Sequence, residues 1–295
     1  MNTQNGINIL NLFNGISTGY LSLKQLNIPV NKYFSSEIDK NVIKVSKYHF
    51  PDIIELGDIR NVNGNTLPRI NLLMCGSSCQ DLSSLNKNRT GLEGNKSSLF
   101  FEAVRILREL NSDCLFLFEN VSMPIKDEHI ISDLLGVQPI KINSNLVSGA
   151  NRSRLYWTNI PNVELPTNRK ITLQSIVENG YVDRKKANAV LTKNIPYTKN
   201  GLVRYLNKSL GQVVFHDKDF AYASKNEKLD IIENMNDEEV RKLFRLFTVT
   251  ELERLQTLPD GFVGDVLKKT PSAKAIGNGY TNEVIKHILS HANFN

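Results

Sequence analysis

No apolar run in this chain approaches the roughly 18 residues that a membrane-spanning helix needs, so a membrane protein of that kind is not expected. Cysteine is scarce. The three present in 295 residues, Cys75, Cys79 and Cys114, argue against a disulfide framework and for a reducing, cytoplasmic setting. Cys75 and Cys79 are not joined by a second ligand pair at usable spacing, so no metal is expected. Met1 to Gly6 is polar, without the charged-then-apolar order of a leader, and no export signal is expected. Internal repeats and low-complexity tracts are absent. So is acidic charge over one long stretch: between Arg184 and His216 there are seven basic residues and no Asp or Glu.

That stretch carries Arg184, Lys185, Lys186, Lys193, Lys199, Arg204 and Lys208, with Tyr181, Tyr197 and Tyr205 interleaved. With a net charge of +6, it points to a polyanionic partner, although a solvated basic face gives the same pattern. Hydrophobic residues make up 40% of the chain, enough for a folded core, and the length suits one or two domains.

The most informative segment runs from Leu72 to Leu82. An apolar run of strand length stops at Gly76-Ser77-Ser78, and Cys79 follows at once. In α/β sheets, reactive groups gather just past the carboxyl ends of strands. A buried thiol in a turn is the plainer reading. Phe118-Glu119-Asn120-Val121 and Asn151-Arg152-Ser153-Arg154 show the same strand-end placement of polar groups.

Taken in order, Ile7 to Phe13 alternates as a strand and meets Asn14-Gly15, after which Tyr20 to Leu26 has helical spacing. Strand, glycine turn and helix open a doubly wound nucleotide-binding unit. Lys32 to Ser36 reads as the second strand and ends in Glu37, placed to accept ribose hydroxyls. Val42 to His49 reads as a helix and Ile53 to Leu56 as a short strand. Asp58 then stands in a loop where it can meet an adenine amine. Asp81 to Asn95 is polar and aperiodic, a closing loop in expectation. A helix is expected over Ser97 to Leu110, an interior strand over Cys114 to Phe118 and a helix over Asp127 to Leu135. Ile140 to Asn143 and Arg154 to Asn159 read as further strands. Later come helices over Asp237 to Arg245 and Thr248 to Leu258, with Thr250 and Glu253 as a capping box. Ala275 to Tyr280 reads as a strand-like or tight-turn segment, and Thr281 is expected to cap a final helix.

These residues resemble, in order, the motifs of the DNA (cytosine-5)-methyltransferases. Phe13-Asn14-Gly15 resembles the first cofactor motif, and Glu37 and Asp58 the acidic residues of the second and third. Gly76-Ser77-Ser78-Cys79-Gln80 is similar to the nucleophile loop, Glu119-Asn120-Val121 to the Glu-Asn-Val motif and Arg152-Ser153-Arg154 to the Arg-x-Arg strand. Gly277-Asn278-Gly279 is similar to the closing motif. Gly15 to Gly19 and Arg154 to Asn159 look most similar to the branch containing the vertebrate de novo enzymes. Two departures stand out: Ser78 replaces the family's proline before the nucleophile, and Asn14 an acidic residue or alanine.

The resemblance implies an α/β fold, a doubly wound, mostly parallel Rossmann-like sheet with a small target-recognition lobe. The expected division is residues 1–161 plus 237–295 for catalysis and 162–236 for recognition. It implies S-adenosylmethionine, held by Phe13, Asn14, Gly15, Ile16, Ser17, Thr18, Gly19, Glu37, Ile38, Asp58, Ile59, Gly76, Leu99, Asn278, Gly279 and Tyr280. It implies catalysis by Cys79, Glu119, Arg152 and Arg154 on a cytosine flipped out of double-stranded DNA. Ser83, Lys87, Arg89, Lys185, Lys186, Lys193 and Arg204 are the expected DNA contacts. A monomer is expected, without metal or membrane, and the Lys-, Asn- and Ile-rich composition suggests a bacterial or viral source. Two alternatives stay open. One is a transfer-RNA cytosine-5 methyltransferase, whose usual marks are not found in Gln80-Asp81-Leu82-Ser83. The other is an inactive DNA-binding relative, although Cys79, Glu119 and Phe13 are all present.

Overall fold

The protein is described here by a computed structural model covering residues 6–76, 98–188, 196–208 and 211–294. The chain divides into two compact units. Residues 1–143, 153–166 and 279–295 form the first, and residues 144–152 and 167–278 the second.

The first unit is built on β1 (Ile7–Leu12), α1 (Thr18–Gln25), β2 (Val30–Ser36), α2 (Lys40–His49), β3 (Ile54–Glu55) and β4 (Leu72–Gly76). It continues through α3 (Ser98–Glu109), β5 (Leu115–Val121), α4 (Ile125–Leu135), β6 (Ile140–Asn143) and β7 (Ser153–Thr158). The sheet order is β3-β2-β1-β4-β5-β7-β6, parallel except for β7, which runs antiparallel to both β5 and β6. Strand order reverses between β1 and β4, and the crevice outside the carboxyl ends there is where such sheets bind ligands. Leu72, Leu73, Met74 and Cys75 are fully buried, as a strand covered on both faces requires. Gly19 lets α1 lie close on the sheet, because a Cβ there would sit 2.5 Å from the Met74 methyl.

The second unit contains α5 (Lys199–Lys208), β8 (Val214–Phe215), α6 (Lys218–Tyr222), α7 (Lys225–Glu233), α8 (Asp237–Arg241) and β9 (Phe244–Arg245). It ends with α9 (Val249–Leu255) and α10 (Lys269–Asn278). The last helix, α11 (Asn282–Leu289), belongs to the first unit and packs on α1, where Ser22 Oγ donates to Asn282 Oδ1 at 2.9 Å.

The division differs from the sequence expectation, which had placed residues 237–278 with the sheet. Val240 and Phe244 enter a core with Leu202, Tyr205, Phe215 and Phe220, and β9 pairs with β8. A buried ion pair then joins Arg245 to Glu251 on α9. Local signals near the C-terminus also resolve differently. The capping box of α9 is Thr248 with Glu251, not Thr250 with Glu253. Glu253 instead receives the backbone N–H groups of Gly261, Val263 and Gly264, at 2.6 to 2.8 Å. The segment expected as strand or turn at Ala275 is the end of α10, and the helix expected to reach Arg245 stops at Arg241. Thr281 occupies the N-cap of α11 but makes no capping hydrogen bond.

Candidate active site at the carboxyl ends of the central strands

One register row crosses the sheet through Ser36, Leu12, Cys75, Phe118 and Trp157. One residue further on, Glu37, Phe13, Gly76 and Glu119 stand side by side on four neighbouring strand ends, and Gly76 pairs directly with Glu119. With strands about 4.8 Å apart, Glu37 and Glu119 stand about 14 Å from each other along this rim. That span suits a nucleoside-sized ligand at one end and a second reactant at the other.

The Phe13-to-Gly19 turn is held in an unusual shape. φ is +56° at Phe13, +57° at Gly15 and +60° at Ser17, so two non-glycine residues occupy the left-handed region. Buried side chains hold it there. Asn14 is 3% exposed; its Nδ2 donates to Ser17 Oγ at 2.7 Å, while its Oδ1 accepts from Asn11 and from the Tyr33 hydroxyl. Ser46 Oγ on α2 donates to the Gly15 carbonyl at 3.0 Å. Asn14 is therefore a structural hub, and Asn11, Tyr33 and Ser46 belong to the same network although sequence reasoning did not single them out. Their spacing follows only ordinary strand and helix periods, so no local signal marks them.

Glu37 is part of that support. Its Oε2 accepts from Gly15 N at 2.9 Å, and its Oε1 accepts from Ile38 N and Asp39 N at 2.8 and 2.9 Å. A carboxylate has about four acceptor positions, so about one is left for a ribose hydroxyl. Asp58 caps the short turn Ile59–Asn61 and is gripped by Arg60 through both backbone and guanidinium. The Arg60 hydrogen bonds hold the half-buried Asp58 carboxyl down at about 2. Ile59 is 4% exposed and packs in the core, so only its backbone is available to a ligand, whereas Ile38 is 68% exposed. Ile16, Ser17 and Thr18 are also buried, while Phe13 and Leu99 pack half-buried on the core beneath this rim.

At the other end, Glu119 meets Arg154 of β7, whose Nε lies 3.0 Å from Oε1. Arg154 also donates to the Ser153 carbonyl. The two functional residues expected from separate motifs are thus brought together by antiparallel pairing of β5 with β7. Glu119 and its neighbours Asn120 and Val121 continue β5 rather than follow it. The Tyr280 ring presses on Gly76, where an added Cβ would lie 2.8 Å from the hydroxyl. Tyr280 is buried, and its hydroxyl has no partner among the described residues. Burial, then the proximity of Cys75 and Glu119, pushes its pKa well up, so the phenol stays a neutral donor.

Arg152 lies in the second unit and donates to the Gly277 carbonyl at 3.2 Å. Asn278 is exposed at the end of α10, also in the second unit, while Gly279 and Tyr280 belong to the first. Cys79, the closing loop Asp81 to Asn95 with Ser83, Lys87 and Arg89, and Lys193 lie outside the described residues. Among the expected DNA contacts, Lys185 and Arg204 are exposed. Lys186 is engaged: its Nζ donates to the carbonyls of Asn145 and Ser148. Among the described residues, no cluster of His, Cys, Asp or Glu is arranged to hold a metal, and no helix is long and apolar enough to cross a membrane.

Sheet order and the switch-point crevice define a doubly wound α/β fold. The Entamoeba histolytica methyltransferase EhMeth has this fold, matching at a TM-score of 0.70 and 15% identity over 98% of each chain. Residues 7–135 match the family model of C-5 cytosine-specific DNA methylases. Arabidopsis thaliana DNA (cytosine-5)-methyltransferase DRM2 is 37% identical over 116 residues, which is 35% of this chain and 18% of that protein. The Type II methyltransferase M1.ScrFI of Lactococcus lactis is 28% identical over 95% of this chain and 76% of its own. The orphan methyltransferase M.SPRI of Bacillus phage SPR is 27% identical over 51% of this chain and 37% of its own. The chain thus spans well under two thirds of DRM2 and of M.SPRI. Over residues 7–135 the chain is thus similar to C-5 cytosine-specific DNA methylases. Methyltransferases of this family generally use S-adenosylmethionine.

Proposed function

We propose that this chain is a DNA cytosine-5 methyltransferase that attacks carbon 6 of a flipped-out cytosine with Cys79 and methylates carbon 5. The observation that supports this most is the pairing of Gly76 with Glu119, beside Arg154. Position 79 lies three residues past Gly76 in the sequence. Kinship to the branch of the vertebrate de novo enzymes rests on Gly15 to Gly19, the compact second lobe and Arg154 to Asn159.

The rim fits S-adenosylmethionine. The Thr18 hydroxyl and the Tyr280 hydroxyl are buried without partners among the described residues, and Glu37 keeps an acceptor position open. Phe13, Thr18, Glu37, Asp58, Leu99 and Tyr280 would hold the molecule, with backbone from Asn14, Gly15, Gly76 and Gly279. When bound, it supplies an electrophilic methyl group.

Carbon 5 of cytosine is a poor nucleophile. The Cys79 thiolate forms a bond to carbon 6 and pushes the ring electrons onto carbon 5. Glu119 shares a proton with ring nitrogen 3, which stabilises the charge that builds up during attack. Arg154 orients Glu119 and adds a positive charge near the base carbonyl. Once carbon 5 carries its methyl group, a base takes the carbon-5 proton. The electrons left behind re-form the ring double bond, and the Cys79 thiolate leaves. A stacked base cannot be reached this way, so the cytosine must leave the duplex.

The test is a covalent trap. Duplex DNA containing 5-fluorocytosine is incubated with the chain and S-adenosylmethionine; fluorine cannot depart as a cation, so the adduct persists. An adduct on DNA is expected, lost in Cys79→Ser with duplex binding retained. An adduct on RNA alone would replace the DNA reading with the RNA one. No adduct despite bound S-adenosylmethionine would make the chain an inactive relative.

A further inference from the structure

The second unit holds a cavity of about 560 Å³ whose wall carries Lys185, Lys186, Lys225 and Lys228 beside an Arg184–Asp183 pair. Among the described residues Asp183 is the only acid on that wall, and it is already used. Arg184 binds it through Nε and Nη2, both at 2.8 Å, and stacks 4.7 Å from the centre of the Tyr205 ring. The Tyr205 hydroxyl donates to the same carboxylate at 3.0 Å. Four ammonium groups therefore share the cavity with no further carboxylate among the described residues of its wall.

Two of the four are held in place, Lys228 buried and Lys186 half-buried. Lys228 is 5% exposed, and its Nζ donates to the Ala221 carbonyl at 2.7 Å. Lys186 spends two of its three N–H groups on the Asn145 and Ser148 carbonyls. Burial lowers the pKa of both ammonium groups. Asp183 offsets part of the Lys228 charge but is itself shared with Arg184 and Tyr205, so an anion entering the cavity would offset the remaining cost of burying it. Lys225 and Lys228 stand three residues apart on α7, so they present their charges on one side of the helix. Ammonium groups act as point donors well suited to the several oxygens of a phosphate. The volume is far larger than one phosphate ion needs, which favours a phosphate carried on a larger body.

We propose that this cavity seats a backbone phosphate of the nucleic-acid substrate, with Lys225 and Lys228 completing a site begun by Lys185 and Lys186. The source of the phosphate rests on the nucleic-acid reading above; the anion site itself does not. Arg204 does not line the cavity, and Arg184 serves as its brace rather than as a ligand.

The test uses the full chain, with inorganic pyrophosphate followed by calorimetry and a labelled duplex followed by anisotropy over a salt series. The double variant Lys185→Gln/Lys225→Gln removes two exposed charges, Lys228→Met removes the buried one, and Lys218→Gln is an exposed control off the cavity. Each lost phosphate contact should weaken duplex binding roughly fivefold at about 0.15 M salt and flatten the salt slope by about 0.9. The control should match the wild type. Loss of pyrophosphate and duplex binding together supports a phosphodiester occupant; loss of pyrophosphate binding alone supports the site with a free phosphate as its ligand. A wild type that binds pyrophosphate no better than the double variant, with the duplex salt slope unchanged, overturns the site, as does tighter binding of a poly-glutamate peptide than of pyrophosphate. Methyl transfer is not part of the readout, so failure of the catalytic reading and failure of this one are told apart.

Discussion

Glu37→Gln replaces one oxygen with a nitrogen and tests what holds the cofactor turn. Two of the three N–H groups on Glu37, those of Ile38 and Asp39, can remain on the amide oxygen. The third, from Gly15 at 2.9 Å, would then face an NH2 group, donor against donor. A hydrogen bond to a charged acceptor is worth about 1.5–3 kcal/mol. It restrains a turn with left-handed backbone at Phe13 and Ser17, where strain of about 1–3 kcal/mol per residue is stored. Once released, the turn relaxes, and ligand binding must rebuild it. At 1.4 kcal/mol per decade, the dissociation constants of S-adenosylmethionine and S-adenosylhomocysteine should rise about 10- to 150-fold. Calorimetry reads the affinity, and hydrogen exchange at the Gly15 amide reads the lost bond. Binding within twofold of wild type, or unchanged exchange at Gly15, would refute the claim that Glu37 supports the turn.

Gly76→Ala drives a methyl group to 2.8 Å from the Tyr280 hydroxyl, so an overpacking cost of about 1–3 kcal/mol is expected in thermal melts, partly relieved in the double variant with Tyr280→Phe. Full additivity of the two changes would show that the ring and the strand end are not in contact. Arg154→Met should lower single-turnover methyl transfer by at least tenfold with little change in duplex affinity, because it frees the Glu119 carboxylate from its partner; equal rates would remove Arg154 from the site. Burial alone would raise the Glu251 carboxyl, but Arg245 and the backbone N–H groups of Glu178 and Thr248 hold it below the ordinary range. Its stabilising contribution is therefore full above the unfolded carboxyl value, about 4.3, and is lost as pH falls through the depressed folded value. Arg245→Met leaves a buried charge and should cost about 3–5 kcal/mol near neutral pH, with a smaller loss in acid, measured by denaturant unfolding.

The strands and helices around the sheet were legible in the sequence because each is written locally. Ile7 to Leu12 is apolar at four of six positions, Leu72 to Cys75 is an unbroken apolar run, and Gly15 interrupts periodicity where the chain turns. The candidate site followed from the same signals, since strand-end polar residues in a doubly wound order fall along one rim. The capping pair of α9 was misread because Thr250 and Glu253 fit the motif as well as Thr248 and Glu251. The choice was made by Arg245, a partner outside the helix, and by the Gly261–Gly264 turn, which claims Glu253.

The sequence alone determined the order of elements, the candidate catalytic and cofactor residues and the place of the basic stretch. These depend on residue type and short spacing. Tertiary structure decided that Arg154 pairs with Glu119, that Glu37 braces Gly15, and that Lys186 is tied to carbonyls while Lys225 joins the basic wall. It also moved residues 237–278 into the second unit. Hydrogen bonds, ion pairs and burial act at ångström range between residues tens of positions apart, and no local pattern encodes which partners will meet.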